Sequence, residues 1–179
     1  MDCKIMLPKV SDGDTFELAG FQFVKFPEHD GMTPIVLKDI LFDCKFGADN
    51  NFATSEILRR LTAEFMPDVE AAVGKENLLL MRTDLTSLDG LKPYEDLESF
   101  VSLPTLDFYR TNVGIFDRYN PGVWWWLATP ETARPHSSPD FTLCVSPSGN
   151  IGVGDYYGLR FGVRPLLALK SSIFGSCES

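Results

Sequence analysis

Trp124, Trp125 and Trp126 stand side by side, and they are all the tryptophan the chain contains. Apolar Val123 and Leu127 flank them. Successive side chains of a β-strand point to opposite faces, so a strand here sends Trp124 and Trp126 one way and Trp125 the other. On a half-exposed strand at least one indole would stand in water. A central strand covered on both faces avoids this. Each ring buries roughly 150–250 Å², on the order of 4–6 kcal/mol as an upper estimate. The run therefore predicts a core nucleus, with Trp124, Trp125 and Trp126 structural. The competing reading is an aromatic platform for a sugar or a base. It requires an exposed indole flanked by polar groups, and Trp125 is the ring expected to be exposed in that case.

A second stretch, RFGVRPLLAL, ends the regular part of the chain. Arg164 lies among Phe161, Val163, Leu166, Leu167 and Leu169. A guanidinium there keeps its charge, so it has to be bonded to carbonyls or paired. Pro165 has no N–H, which predicts a bulge or an edge at this point. Arg164 is read as a structural residue that locks the end of a sheet.

Other segments fill in the class. TFELAGFQFVKF alternates around Gly20 and predicts two short strands or a hairpin; PIVLKDILF predicts a strand with Ile35 and Leu37 on one face. TSEILRRLTAEFM predicts a helix capped by Thr54 or Ser55, with Ile57, Leu58, Leu61 and Phe65 on one stripe. Pro67 ends it or opens a further turn that Gly74 stops. NLLLMRTDLTS predicts a buried strand, and LDGLKPYEDLE a loop. Pro104 is expected to open a short helix carrying Leu106 and Tyr109. The last third, FTLCVSP, SPSGN and IGVGDYYG included, predicts strands and turns. The fold class is α+β: a twisted antiparallel sheet late, two or three short helices in the first two thirds.

Charge narrows the partners. Residues 1–100 hold 19 acidic and 10 basic side chains, and residues 101–179 hold 6 of each, so the net charge of −9 belongs to the first hundred. Direct nucleic-acid binding is disfavoured, because that affinity comes from neutralising phosphates. A basic protein surface suits the acidic half. No apolar run is long enough to span a bilayer and the N-terminus does not read as a secretory signal, so no membrane is expected. The expected location is the cytoplasm, or a particle assembled from it. Cys3, Cys44, Cys144 and Cys177 lack zinc-type spacing, and only His29 and His136 are present, so the cysteines are read as reduced thiols with no metal and no cofactor.

The residues also resemble a known family. Trp125-Trp126-Leu127-Ala128-Thr129-Pro130, then Gly149, then Gly162-Val163-Arg164-Pro165 with LLAL, are similar to an uncharacterised domain of gut bacteria and their phages. Its signature has Trp-Leu-Arg-Ser-Pro and later Gly-Val-Arg-Pro-Ala. FGADNNFATSEILRRLTAEF resembles its Asn-Asn helix entry, and FVSLPTLDFY its strand followed by a short helix. The chain departs at Ala128-Thr129, where the family has Arg-Ser, so no role of that arginine carries over. The resemblance implies a C-type-lectin-like fold related to the formylglycine-generating-enzyme fold. That fold hosts binders more often than catalysts. The resemblance covers roughly residues 20–170; a length of 179 residues at 44% apolar content fits one domain over 1–179, with 20–170 as the family-like core and 171–179 as a flexible tail.

No catalytic residues are expected. Neither histidine lies in a nucleophile elbow, Cys144 has no nearby cysteine, and the calcium-binding runs of true lectins do not occur. GNIGVGDYYG has glycines but no following helix, which makes it a weak phosphate cradle. The binding candidates are the loop ETARPHSSPD with Arg134, His136 and Asp140, and the hairpin segment with Asn150, Asp155, Tyr156 and Tyr157. Together they mix flat apolar area with hydrogen-bonding groups. The expected function is a non-enzymatic module, phage or bacterial, that binds a protein or glycan through these loops. The alternative is a small acidic phage-encoded inhibitor of a host nucleic-acid-binding defence protein (an anti-CRISPR-like role). It would act through acids such as Asp12, Asp14, Glu64, Asp68 and Glu70.

Overall fold

The computed structural model describes residues 7–92, 94–132 and 141–173. The chain is mixed α+β, mostly antiparallel, with few and short helices. Strand β1 (Thr15–Leu18) turns tightly into β2 (Phe21–Lys25) through Ala19 and Gly20, both at positive φ (52° and 78°). A two-residue hairpin turn needs that backbone to match the twist of its strands. β3 (Met32–Leu37) pairs with β2 and with β12 (Leu166–Lys170), and β7 (Val101–Ser102) closes the sheet in the order β1-β2-β3-β12-β7. A second sheet runs β10-β9-β8-β11-β4. It contains β4 (Phe42–Cys44), β8 (Trp125–Pro130), β9 (Phe141–Val145), β10 (Ile151–Asp155) and β11 (Phe161–Val163). Its β8–β11 pairing is parallel. β5 (Met81–Thr83) and β6 (Leu97–Ser99) form a small separate ladder.

Two readings of the sequence are corrected here. PIVLKDILF is not one strand: β3 and β4 belong to different sheets, joined by Lys38–Leu41. The C-terminal run is likewise split, because β11 lies in the second sheet and β12 in the first. Arg164-Pro165 is the step between them. The last residue of β3 binds both members of that step: Leu37 donates its N–H to the Pro165 carbonyl at 3.0 Å and accepts from Arg164 Nε at 3.0 Å. Arg164 is 1% exposed. Its guanidinium lies 4.9 Å from the Trp125 ring centroid and 5.6 Å from that of Phe116. Burial pulls its pKa down to about 10, against the attraction of Asp39 and Tyr109, so it stays charged at neutral pH.

Each sheet lends one face to each of two cores. Phe23, Ile35, Leu37 and Leu167 of the first sheet meet Trp126, Ala128 and Cys144 of the second. Val24, Val36 and Ala168 meet Trp125, Leu127, Leu143 and Val145. The alternation of the tryptophans is thus realised, with β8 between β9 and β11. Trp126 is fully buried and donates from Nε1 to the Cys44 carbonyl at 3.0 Å. Trp125 is 1% exposed among Tyr109 and Phe116. The ring that reaches solvent is Trp124, at 40%, not Trp125. Trp124 precedes the first residue of β8, so its flank lies at the sheet end.

The helix over TSEILRRLTAEFM forms, and its cap is Ser55, whose Oγ accepts from the Leu58 N–H at 3.0 Å. Helix α1 (Glu56–Arg60) runs through a π segment (Leu61–Phe65) into α2 (Met66–Val73). Pro67 cannot donate and crowds the preceding turn, and the wider π turn accommodates it. Phe65 packs on Phe21 and Phe23, seating this helix on the first sheet. Helix α3 (Leu106–Thr111) starts later than expected. Thr105 is its cap, with Oγ1 accepting from Phe108 at 3.2 Å, so Pro104 lies before the helix and not at its first position. The Pro104 carbonyl instead accepts from Ala128, and Thr129 Oγ1 accepts from Leu106. Both contacts occupy the stretch where β8 bulges away from β9. Helix α4 (Val113–Arg118) follows. Among the described residues no helix is long and apolar enough to cross a membrane.

Candidate binding surface

β8 ends at Pro130 and β9 begins at Phe141, and the two flanks of the intervening segment are drawn together by one buried side chain. Asn50 is fully buried. Its Nδ2 donates to the Thr132 carbonyl at 2.8 Å and to the Phe141 carbonyl at 3.1 Å. Its Oδ1 accepts from Tyr94 Oη at 2.6 Å. Both amide protons and one oxygen lone pair are used, so the buried amide is nearly satisfied. Burial pushes the Tyr94 phenol pKa up, with Asp49 adding to it, so the donor stays protonated. Around this clamp, Glu131 N–H donates to the Phe141 carbonyl, and Thr132 Oγ1 donates to Asp89 at 2.7 Å. Asn50 sits in the turn GADNN, which orders itself: Asp49 accepts from Asn51 N–H, and Asn51 accepts from Ala53 N–H.

Phe141 is paired with Asp155 across β9 and β10. Asp155 Oδ1 accepts from the N–H groups of Tyr157 and Gly158 at 2.9 and 3.0 Å, holding a turn. The Tyr156 carbonyl accepts from Phe46 N–H. The two tyrosine rings meet edge to face at 5.1 Å, and Tyr157 is 53% exposed. Asp155, Tyr156 and Tyr157 therefore stand beside the clamped flank at Phe141.

Asn150 does not join them. It lies at the opposite end of β10, about 17 Å away at the strand rise of roughly 3.4 Å per residue. There it completes the hairpin turn, with N–H and Nδ2 donating to Ser146 Oγ and Ser148 Oγ. Arg134, His136 and Asp140 lie outside the described residues. Of the acids considered for an inhibitory face, Asp12 is paired with Lys25 at 2.9 Å and Glu64 with Arg60 at 2.9 Å. Asp14 and Asp68 are exposed.

Cys44 and Cys144 are free and buried. Burial drives their pKa values up to about 11 and about 12, the first against the pull of Arg60. Both are protonated thiols at neutral pH and poor nucleophiles. Among the described residues no three His, Cys, Asp or Glu side chains converge as a metal-binding group. A groove of about 650 Å³ runs past Met81, Leu88 and Leu106. The charges at its mouth are engaged with neighbours: Arg82 with Asp96, Asp84 with Lys92, Arg110 with Asp107.

Asn50, Tyr94 and Asp89 are the residues sequence reasoning passed over. Their partners lie about 40 to 90 positions away, and the only local signal is an Asn-Asn pair in a turn. No family model, curated protein or solved structure matches this chain.

Proposed function

We propose that this chain is a binding module of phage or bacterial origin that recognises a protein or glycan through the loops of its C-terminal third. We place it on a C-type-lectin-like scaffold, as the resemblance of its motifs implies. One observation carries the reading. A fully buried asparagine spends its amide on holding two loop flanks, Thr132 and Phe141, beside the exposed Tyr157. Loops mounted on a rigid two-sheet frame are where recognition residues belong. Tyrosine supplies large contact area at small entropic cost. Cys44 and Cys144 are protonated and buried, so neither of these two thiols supports nucleophilic chemistry.

The test is capture from bacterial lysate and from an immobilised glycan panel, with wild type, Tyr157→Ala and the double variant Tyr156→Ala/Tyr157→Ala, at low and high salt. The reading expects a ligand held by wild type, lost in the double variant and only mildly weakened by salt. A ligand that ignores the tyrosines, falls steeply with salt and is lost on charge reversal at Asp14, Asp68 and Glu70 would replace it with the acidic-inhibitor reading.

A further inference from the structure

Trp124 is the exposed member of the tryptophan run, and it lines a cleft of about 550 Å³ with Asp39, Asp43, Val123, Arg160 and Phe161. Its ring lies nearly parallel to Phe161, 18° apart with centroids at 5.5 Å. That stacking covers one flank. The Trp124 backbone is also held, since its carbonyl accepts from the Gly162 N–H at 2.9 Å. The far edge of the indole rests on bare backbone: a Cβ on Gly152 would stand 2.8 Å from Trp124 Cζ3. The ring is thus set in place before any ligand arrives. Arg160, exposed at the rim, donates from Nη2 to the Asp43 carbonyl at 2.8 Å, which fixes a guanidinium beside the cleft. Asp39 and Asp43 are exposed.

We propose that this cleft is a saccharide subsite that seats one neutral pyranose ring against the open flank of Trp124. The C–H face of a pyranose is weakly positive and complements the negative face of an indole. Each sugar hydroxyl both donates and accepts. A rim that offers carboxylate acceptors and a guanidinium donor serves such a ring on both counts. Other occupants of an exposed indole fit worse. A nucleotide brings phosphate to a rim with two carboxylates, on a chain of net charge −9. A quaternary or guanidinium cation is best held by a cage of aromatic walls, whereas Phe161 stacks beside Trp124 and the rim already carries Arg160. Neither Tyr156 nor Tyr157 lines this cleft, so the subsite stands or falls independently of them.

The experiment uses the full chain and a set of neutral hexasaccharides (cellohexaose, maltohexaose, mannohexaose and chitohexaose). Calorimetry measures affinity, and the three indole N–H resonances report the place of binding. At least one saccharide should bind with a Kd of about 10 µM to 1 mM. It should shift the Trp124 indole signal and leave those of Trp125 and Trp126 in place. Trp124→Ala should weaken binding by about tenfold or more. Asp43→Asn and Arg160→Ala, both at exposed positions that keep the fold, should each weaken it several-fold. Tyr157→Ala should leave it unchanged. The proposal is overturned if no saccharide moves the Trp124 signal at about 10 mM, a concentration that would fill even a weak subsite. Equal affinity in the Trp124, Asp43 and Arg160 variants overturns it too, as does AMP or arginine amide shifting that signal in place of every sugar.

Discussion

Gly152 and Gly154 lie two residues apart on one face of β10, under Trp124 and Trp126 respectively, and replacing each by alanine should give very different results. Neither has a positive φ, so alanine meets no backbone penalty. Each substitution gains roughly 0.4–1 kcal/mol from a less flexible unfolded chain. The difference comes from the indoles. A Cβ at Gly154 would stand 2.6 Å from Trp126 Cζ3 and 2.6 Å from Phe161 Cε2. Trp126 has nowhere to go: it is fully buried, packed on Phe46 at 5.5 Å and bonded to the Cys44 carbonyl. Overpacking of a close-packed core costs about 1–3 kcal/mol, and displacing the indole N–H adds about 1 kcal/mol. Gly154→Ala should lose a net of about 1–3.5 kcal/mol. At Gly152 the crowded ring is Trp124, which is 40% exposed and can tilt by the small amount a methyl group needs without leaving Phe161, so Gly152→Ala should stay within about 1 kcal/mol of wild type. Urea unfolding followed by tryptophan emission reads both. Adding Trp126→Phe to Gly154→Ala should recover part of the loss by removing the clashing ring. Two alanine variants that differ by less than about 0.5 kcal/mol would refute the packing argument.

Three further outcomes follow from the same geometry. Asn50→Ala removes three hydrogen bonds of a buried amide and should cost about 2–4 kcal/mol, with faster amide exchange at Glu131 and no change of overall secondary structure by circular dichroism; unchanged stability would deny the clamp. Arg164→Met should stay within about 1 kcal/mol of wild type, because an apolar chain of similar length escapes the desolvation cost, whereas Arg164→Ala should lose about 3 kcal/mol or more through the cavity it leaves. Cys44 and Cys144 have folded pKa values of about 11 and about 12 against a reference of 9.0. The folded state thus holds protons the unfolded chain releases. Stability from this source is complete below pH 9 and falls above it by about 1.4 kcal/mol per pH unit per thiol, until the pH passes each folded value. Urea midpoints across that window should fall less steeply in Cys144→Ala, and an equally steep fall would contradict the assignment.

How much of this was legible in the chain depends on the range of each cause. The hairpin at Gly20, the Ser55 cap and the stripe Ile57, Leu61, Phe65 are local, and their periodicity and cap chemistry could be read directly. Alternation across Trp124 to Trp126 was also legible. Which indole faces water was not, because it depends on where β8 begins and on Phe161, nearly forty residues later. Two breaks were hidden for a similar reason. Nothing local says that Lys38–Leu41 or Arg164-Pro165 carries the chain from one sheet to the other, although Pro165 marked an irregularity. The glycines of IGVGD were placed in a hairpin and made at most a weak phosphate cradle, which left them without a cause. Their cause is the pair of indoles lying over them, two strands away. Of the candidate surface, Asp155, Tyr156 and Tyr157 were proposed from their mix of flat apolar area and hydrogen-bonding groups. The clamp that organises it was missed, because a buried Asn is indistinguishable from a turn Asn until its partners are placed.

The central claim is that β8 is sealed on both faces by Trp125 and Trp126 and leaves Trp124 as the indole that meets solvent. Acrylamide quenching of tryptophan emission tests it most directly, in wild type and in Trp124→Phe, Trp125→Phe and Trp126→Phe. The account predicts that Trp124→Phe abolishes nearly all quenchable emission and leaves a blue-shifted, protected remainder, while the other two variants keep the quenchable component. Quenching that survives Trp124→Phe and disappears with Trp125→Phe would contradict it.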